Sequence, residues 1–107
     1  MNISDGLKTA RLRSGLKQFE FAKKAKISQT YVSQIESGKK EPSIDVLKRY
    51  EKITKQPLAV ILWDAMTEES VQKTKLTEYR KIKPIIDDLI NSMFSGPLTK
   101  PTKGGKK

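Results

Sequence analysis

The stretch "QFEFAKKAKISQTYVSQIES", Gln18 to Ser37, decides the fold. Lys17 to Ala25 reads as a short helix, with Phe21, Ala22 and Ala25 turned inward at helical spacing. Ser28 suits the N-cap of a second helix, because its hydroxyl can accept a first-turn backbone N–H. Val32 and Ile35 then fall on one face, and Gly38 can end the helix in a left-handed conformation. Only a tight turn closed by Ile27 separates the two. Ala22 lies where crossing helices approach most closely, a place that calls for a small side chain. The pattern is helix, turn, helix.

Outward from this pair, helical spacing continues. Ser4 is expected to cap a first helix whose inner face carries Leu7, Ala10, Arg11 and Ser14, with Gly15 as its stop. Lys39 to Pro42 reads as a loop. Ser43 is expected to cap a fourth helix with Ile44, Leu47, Tyr50 or Glu51, and Ile53 or Thr54 at helical spacing. Pro57 suits the first turn of a fifth, where its missing N–H costs nothing; Leu58, Ile61 and Leu62 supply the apolar face. No strict alternation or hairpin turn signals a strand. The fold class expected is all-α: five helices over residues 1–63, a C-terminal helical segment over 64–94, and a disordered basic tail over 95–107.

The C-terminal segment reads differently. Thr67 can cap a helix beginning Glu68-Glu69. Pro84 is expected to kink that helix or to start another. Ile82, Ile85, Ile86, Leu89, Ile90, Met93 and Phe94 supply more apolar surface than a peripheral helix needs. The expected dimer face is Ile82, Ile86, Leu89, Ile90, Met93 and Phe94; the rival expectation is that the helix folds back on its own domain.

The chain has 107 residues and a net charge of +10, unevenly spread. Residues 1–63 carry 13 Lys/Arg against 6 Asp/Glu, and residues 64–94 carry 5 against 6. A basic N-terminal unit points to a polyanion partner, nucleic acid first. The absence of cysteine and histidine excludes disulfides, thiolate chemistry and imidazole catalysis. No nucleophile–base pair, metal cluster or Gly-rich phosphate loop is present, so neither an enzyme nor a cofactor is expected. The longest apolar run, Leu58 to Trp63, is far short of the ~20 residues of a membrane span. Met1 to Gly6 lacks the features of an export signal, so a cytoplasmic protein is expected, working on the nucleoid.

Leu7 to Leu62 resembles the Cro/repressor-type, XRE or lambda-repressor-like, helix-turn-helix family. The resemblance rests on Leu7 with Arg11, Leu16 with Gln18, Phe21-Ala22, Ile27-Ser28, Val32-Ser33-x-Ile35-Glu36-x-Gly38 and Pro42-Ser43. It implies a sequence-specific regulator of double-stranded DNA, a homodimeric repressor with the third helix in the major groove. Carried over residue by residue, it makes Gln29, Thr30 and Gln34 base readers. Gln18, Ser33, Lys39, Lys40, Ser43 and Lys17 become phosphate contacts, with Gln18 also bracing Gln29. It further implies a structural ion pair between Arg11 and Glu36. The alternative function is an antitoxin that binds a toxin through its C-terminal helices. One departure stands out: Lys26 occupies a turn position where the family commonly has Gly, so a positive φ there would carry strain.

Overall fold

The computed structural model describes residues 2–95, and every regular element among them is helical. Five short helices come first: α1 (Ile3–Arg13), α2 (Gln18–Ala25), α3 (Gln29–Glu36), α4 (Ile44–Thr54) and α5 (Leu58–Ala65). Two single 3₁₀ turns, Glu68–Ser70 and Lys73–Lys75, lead into the long α6 (Leu76–Phe94). The expected tail falls, beyond Ser95, outside the described residues.

The core gathers one face of each of the first five helices. Leu7 and Ala10 of α1, Phe21, Ala22 and Ala25 of α2, Val32 and Ile35 of α3, Val46 and Tyr50 of α4, and Ile61 of α5 form one buried cluster. Phe21 and Tyr50 lie with ring centroids 4.1 Å apart. Burial of such side chains contributes roughly 1.5–3 kcal/mol each. α1 and α5 pack closest of all. A Cβ added to Gly6 would sit 2.4 Å from the Ile61 carbonyl oxygen and 3.0 Å from the Ala65 Cβ. Glycine is therefore required in mid-helix here by proximity, with no unusual backbone angle involved.

Capping accounts for most boundaries. The Ser28 and Ser43 hydroxyls accept from Tyr31 N at 3.0 Å and Val46 N at 3.2 Å. Gly15 and Gly38 both take positive φ, +79° and +83°. Lys26 does so as well, at φ 60°, which places it in the left-handed region that the sequence comparison with glycine anticipates. Lys55, at φ 57°, is a second such residue.

Several expectations need correction. Asn2, not Ser4, caps α1: its Oδ1 accepts from Ser4 N at 3.1 Å, and Ser4 is buried in the first turn. The inner face of α4 is Val46, Tyr50 and Thr54, spaced by four, whereas Ile44 is 73% exposed. Ile44 immediately follows the cap, where the helix has not yet reached the core. Thr67 begins only one 3₁₀ turn. α6 continues through Pro84 without ending, so of the two expectations for that residue the start of a separate helix is the one excluded. Pro84 and Arg80 are both exposed, so the Arg80 carbonyl left without a helical donor can be hydrated. α5 runs two residues past the expected boundary at Trp63, and Ala65 is buried.

One side of α6 does return to the domain. Tyr79 and Ile90 are buried, and Tyr79 lies 6.1 Å from Trp63 between ring centroids. Most of the seam is polar. Asn91 accepts from Arg13 Nε at 3.0 Å, and Asp87 accepts from Trp63 Nε1 at 2.9 Å. Ile90, expected at a dimer face, is thus covered by its own chain. Ile86 and Phe94 are half-buried, and Ile82, Leu89 and Met93 remain exposed.

Candidate nucleic-acid interface

Glu36, the last residue of α3, anchors the site from below. Arg11 Nε lies 3.0 and 2.9 Å from its two carboxylate oxygens, and Arg11 Nη2 donates to Oε1 at 2.9 Å. Tyr50 on α4 donates its hydroxyl to Oε2 at 2.8 Å. Gln18 at the start of α2 donates Nε2 to Oε1 at 3.3 Å. Arg11 Nη1 takes the Leu16 carbonyl at 2.7 Å. The ion pair expected between α1 and α3 is present and buried, and it reaches two further helices. Burial raises the Tyr50 pKa above its ordinary value, and the adjacent Glu36 charge and hydrogen bond raise it further. Tyr50 therefore stays a neutral donor at any physiological pH.

Above this anchor the outer face of α3 opens into a shallow groove of about 460 Å³. Gln18, Gln29, Thr30, Ser33, Gln34, Ser37 and Lys39 line it. Gln29, Thr30 and Ser33 are exposed, and Gln34 is half-buried. The groove contains a single charge, Lys39; the rest is carboxamide and hydroxyl. The following loop is pinned to the helix end, because Lys39 N and Lys40 N both donate to the Gln34 carbonyl, at 2.9 and 3.1 Å. Lys39 thus stands at the C-terminal rim of the groove, with Lys40 just outside it.

The helix-turn-helix family matches residues 7–61, just over half the chain. The chain belongs to the XRE-type helix-turn-helix family. Among curated proteins, the transcriptional regulator ClgR of Mycobacterium tuberculosis is 38% identical over 63 residues, in strain CDC 1551 / Oshkosh and in strain ATCC 25618 / H37Rv. The match covers 59% of this chain and 56% of ClgR, so the chain spans little more than half the length of those relatives. No solved structure gives a significant match.

In helix-turn-helix terms, α2 and α3 are the paired helices, and α3 holds the second position of the pair. Of the residues assigned from the resemblance, Gln29, Thr30, Gln34, Gln18, Ser33 and Lys39 come together in the groove. Lys17, Lys40 and Ser43 lie outside it, all exposed. The Lys17 backbone N–H donates to Glu20 Oε1 at 2.8 Å, so a carboxylate already occupies part of the positive end of α2. The bracing role of Gln18 needs correction. Its Nε2 donates to Glu36, not to Gln29, because Glu36 supplies a buried, charged acceptor within reach. Tyr31 packs half-buried against the core, with Lys40 Nζ 5.9 Å from its ring centroid.

Two contributors went unseen in the sequence. Ser37 lines the groove, and its hydroxyl donates to the Gln34 carbonyl at 3.2 Å; it gave no signal beyond sitting at a helix end. Tyr50 was one of two candidates for an inward position, with nothing to mark it as a partner of Glu36. Among the described residues no group of three or more His, Cys, Asp or Glu could hold a metal, and no helix is long and apolar enough to cross a membrane.

Proposed function

We propose that this chain is a sequence-specific DNA-binding transcriptional regulator, a dimeric repressor that places α3 in the major groove of a palindromic operator. The supporting observation is the surface of α3: uncharged hydrogen-bonding side chains in the middle, with lysine only at the rim. A lysine in the middle would hold any sequence by its phosphates, which carry no base information. Glutamine can pair with adenine N6 and N7, discriminating by roughly 1–3 kcal/mol. Gln29, Thr30 and Gln34 read bases in this scheme. Gln18 has one Nε2 hydrogen committed to Glu36 and offers the other to phosphate. Lys17, Lys39 and Lys40, with the Ser33 and Ser43 hydroxyls, flank the backbone. A two-fold dimer sets two α3 helices about 34–36 Å apart, one DNA turn. The setting is the cytoplasm, on the nucleoid.

Unbiased selection from random DNA, with the wild type and with Gln29→Ala/Gln34→Ala, tests the reading. The wild type should enrich a two-fold symmetric motif. The variant should keep its affinity for non-specific DNA and lose discrimination at the positions those glutamines face. Recovery of the same motif with equal discrimination would remove both residues as base readers.

A further inference from the structure

α6 carries an apolar strip that its own domain leaves uncovered. Ile82, Ile85, Leu89 and Met93 are 48%, 65%, 53% and 59% exposed, spaced by three, four and four residues along one side of the helix. The opposite side is committed to Trp63 and Arg13, so the strip faces away from the domain. We infer that this strip docks against the same strip of a second copy of the chain, with the two α6 helices antiparallel and Ile85 near the two-fold axis.

Charge selects this occupant and this direction. The whole chain is at +10, so copies repel through most of their surface. α6 is the neutral exception: Arg80, Lys81 and Lys83 balance Glu78, Asp87 and Asp88. Three of these charges are already engaged outside the strip, Arg80 with Glu68 and Lys83 with Asp87. Lys81 and Asp88 are exposed, seven residues apart on the same flank of the strip, and nearly equidistant from Ile85. An isologous interface requires that if one residue meets another, the reverse contact also forms. Antiparallel pairing about Ile85 satisfies this, setting Lys81 of each copy beside Asp88 of the other. Parallel pairing, about a two-fold along the helices, would carry the two copies of this flank to opposite edges of the interface, where no Lys81–Asp88 contact could form. The strip from Ile82 to Met93 is about 17 Å long at 1.5 Å per residue, so the contact is small and the dimer concentration-dependent. This inference deepens the dimer part of the proposed function and is independent of which bases α3 reads.

The 107-residue chain has no cysteine, which permits a direct test in the whole chain. Ile85→Cys and Met93→Cys both replace exposed side chains and should fold. A disulfide needs Cα atoms within about 7 Å. In the antiparallel pair the two copies of residue 85 approach that distance, whereas the two copies of residue 93 lie about 24 Å apart along the helices. Oxidation should therefore cross-link Ile85→Cys and leave Met93→Cys uncoupled. Cross-linking of both variants would overturn the antiparallel direction. A dimer in sedimentation with neither variant cross-linked would overturn α6 as the interface while leaving a dimeric regulator intact. A monomer at every concentration would overturn dimerisation itself. In the same sedimentation series Lys81→Glu should weaken dimerisation about tenfold, and Lys81→Glu/Asp88→Lys should restore it, since each two-fold contact counts twice. Failure of the double variant to recover would remove the proposed cross-contact.

Discussion

Replacing Glu36 by glutamine changes one oxygen into an NH₂ and removes one charge, yet it should be among the most damaging surface-preserving substitutions in the chain. Every group around the carboxylate is a donor: Arg11 Nε and Nη2, the Tyr50 hydroxyl and Gln18 Nε2. The new amide nitrogen must point at one of them and cannot accept. Arg11 is only 5% exposed and would keep its charge, with two neutral acceptors left, the retained amide oxygen and the Leu16 carbonyl, and no countercharge. Breaking a buried pair from one side costs about 3–5 kcal/mol. A domain of this size has roughly 5–14 kcal/mol in total, so a large fraction of its stability goes. Thermal and urea unfolding followed by circular dichroism should show Tm lower by about 12 °C or more and a reduced midpoint at unchanged m. Arg11→Met/Glu36→Met removes both charges together and should cost less than Glu36→Gln alone. A loss below about 1 kcal/mol for Glu36→Gln, or a double variant worse than the single, would refute the claim that this pair is an interdependent buried unit.

Gly6→Ala opposes two effects of known sign: helix propensity favours alanine by roughly 1 kcal/mol, but its Cβ would meet the Ile61 carbonyl oxygen. Overpacking of about 1–3 kcal/mol should win, and a rise in Tm would show that α1 and α5 separate freely. Lys26→Gly should stabilise the fold by up to about 1 kcal/mol, because left-handed strain of about 1–2 kcal/mol outweighs the extra freedom of glycine in the unfolded chain; urea unfolding measures the difference. Trp63, the single tryptophan, reports the docking of α6 through its bond to Asp87. Burial tends to raise the Asp87 carboxyl, but hydrogen bonds from Lys83 and Trp63 outweigh it and hold the pKa below the ordinary 3.8. A lowered folded pKa contributes stability that is complete above 3.8 and disappears as pH falls through the folded value. Trp63 fluorescence should therefore be flat at neutral pH and change only below about pH 4, and Asp87→Asn should abolish that step; a transition near pH 6 would contradict it. Lys39→Ala should weaken binding to all DNA sequences alike and reduce the salt slope by about one, measured by fluorescence anisotropy across a salt series.

The helices of the N-terminal unit were legible because their signals are local. Ser28 and Ser43 cap through hydroxyls that reach their own first turn, and Gly15 and Gly38 end helices by their own backbone freedom. Phe21, Val32 and Ile35 lie inward because spacing alone puts them on one face. The same locality explains the failures. Asn2 and Ser4 are both good caps, and nothing within those few residues separates them. Ile44 fits the helical spacing of α4 as well as Val46 does, and only the position of the neighbouring helices chooses Val46. Pro84 forbids one hydrogen bond, but whether the helix survives depends on the exposure of the Arg80 carbonyl.

The sequence by itself determined the order of the helices, the paired helices at its centre, and the uncharged face of α3, because each depends on residues within a turn or two of one another. It carried the Arg11–Glu36 pair only through the family resemblance. Tertiary structure alone decided that Tyr50 and Gln18 join that pair, that Gly6 must lack a side chain, and that Arg13, Asp64 and Asn91 meet. Arg13 and Asp64 are 51 positions apart and bond at 2.6 Å; Arg13 and Asn91 are 78 apart. A hydrogen bond acts over about 3 Å, and no spacing rule reaches across three helices to that distance. The fate of the α6 strip belongs to the same class: its apolar spacing was legible, but only the docked helix shows which residues its own domain leaves uncovered.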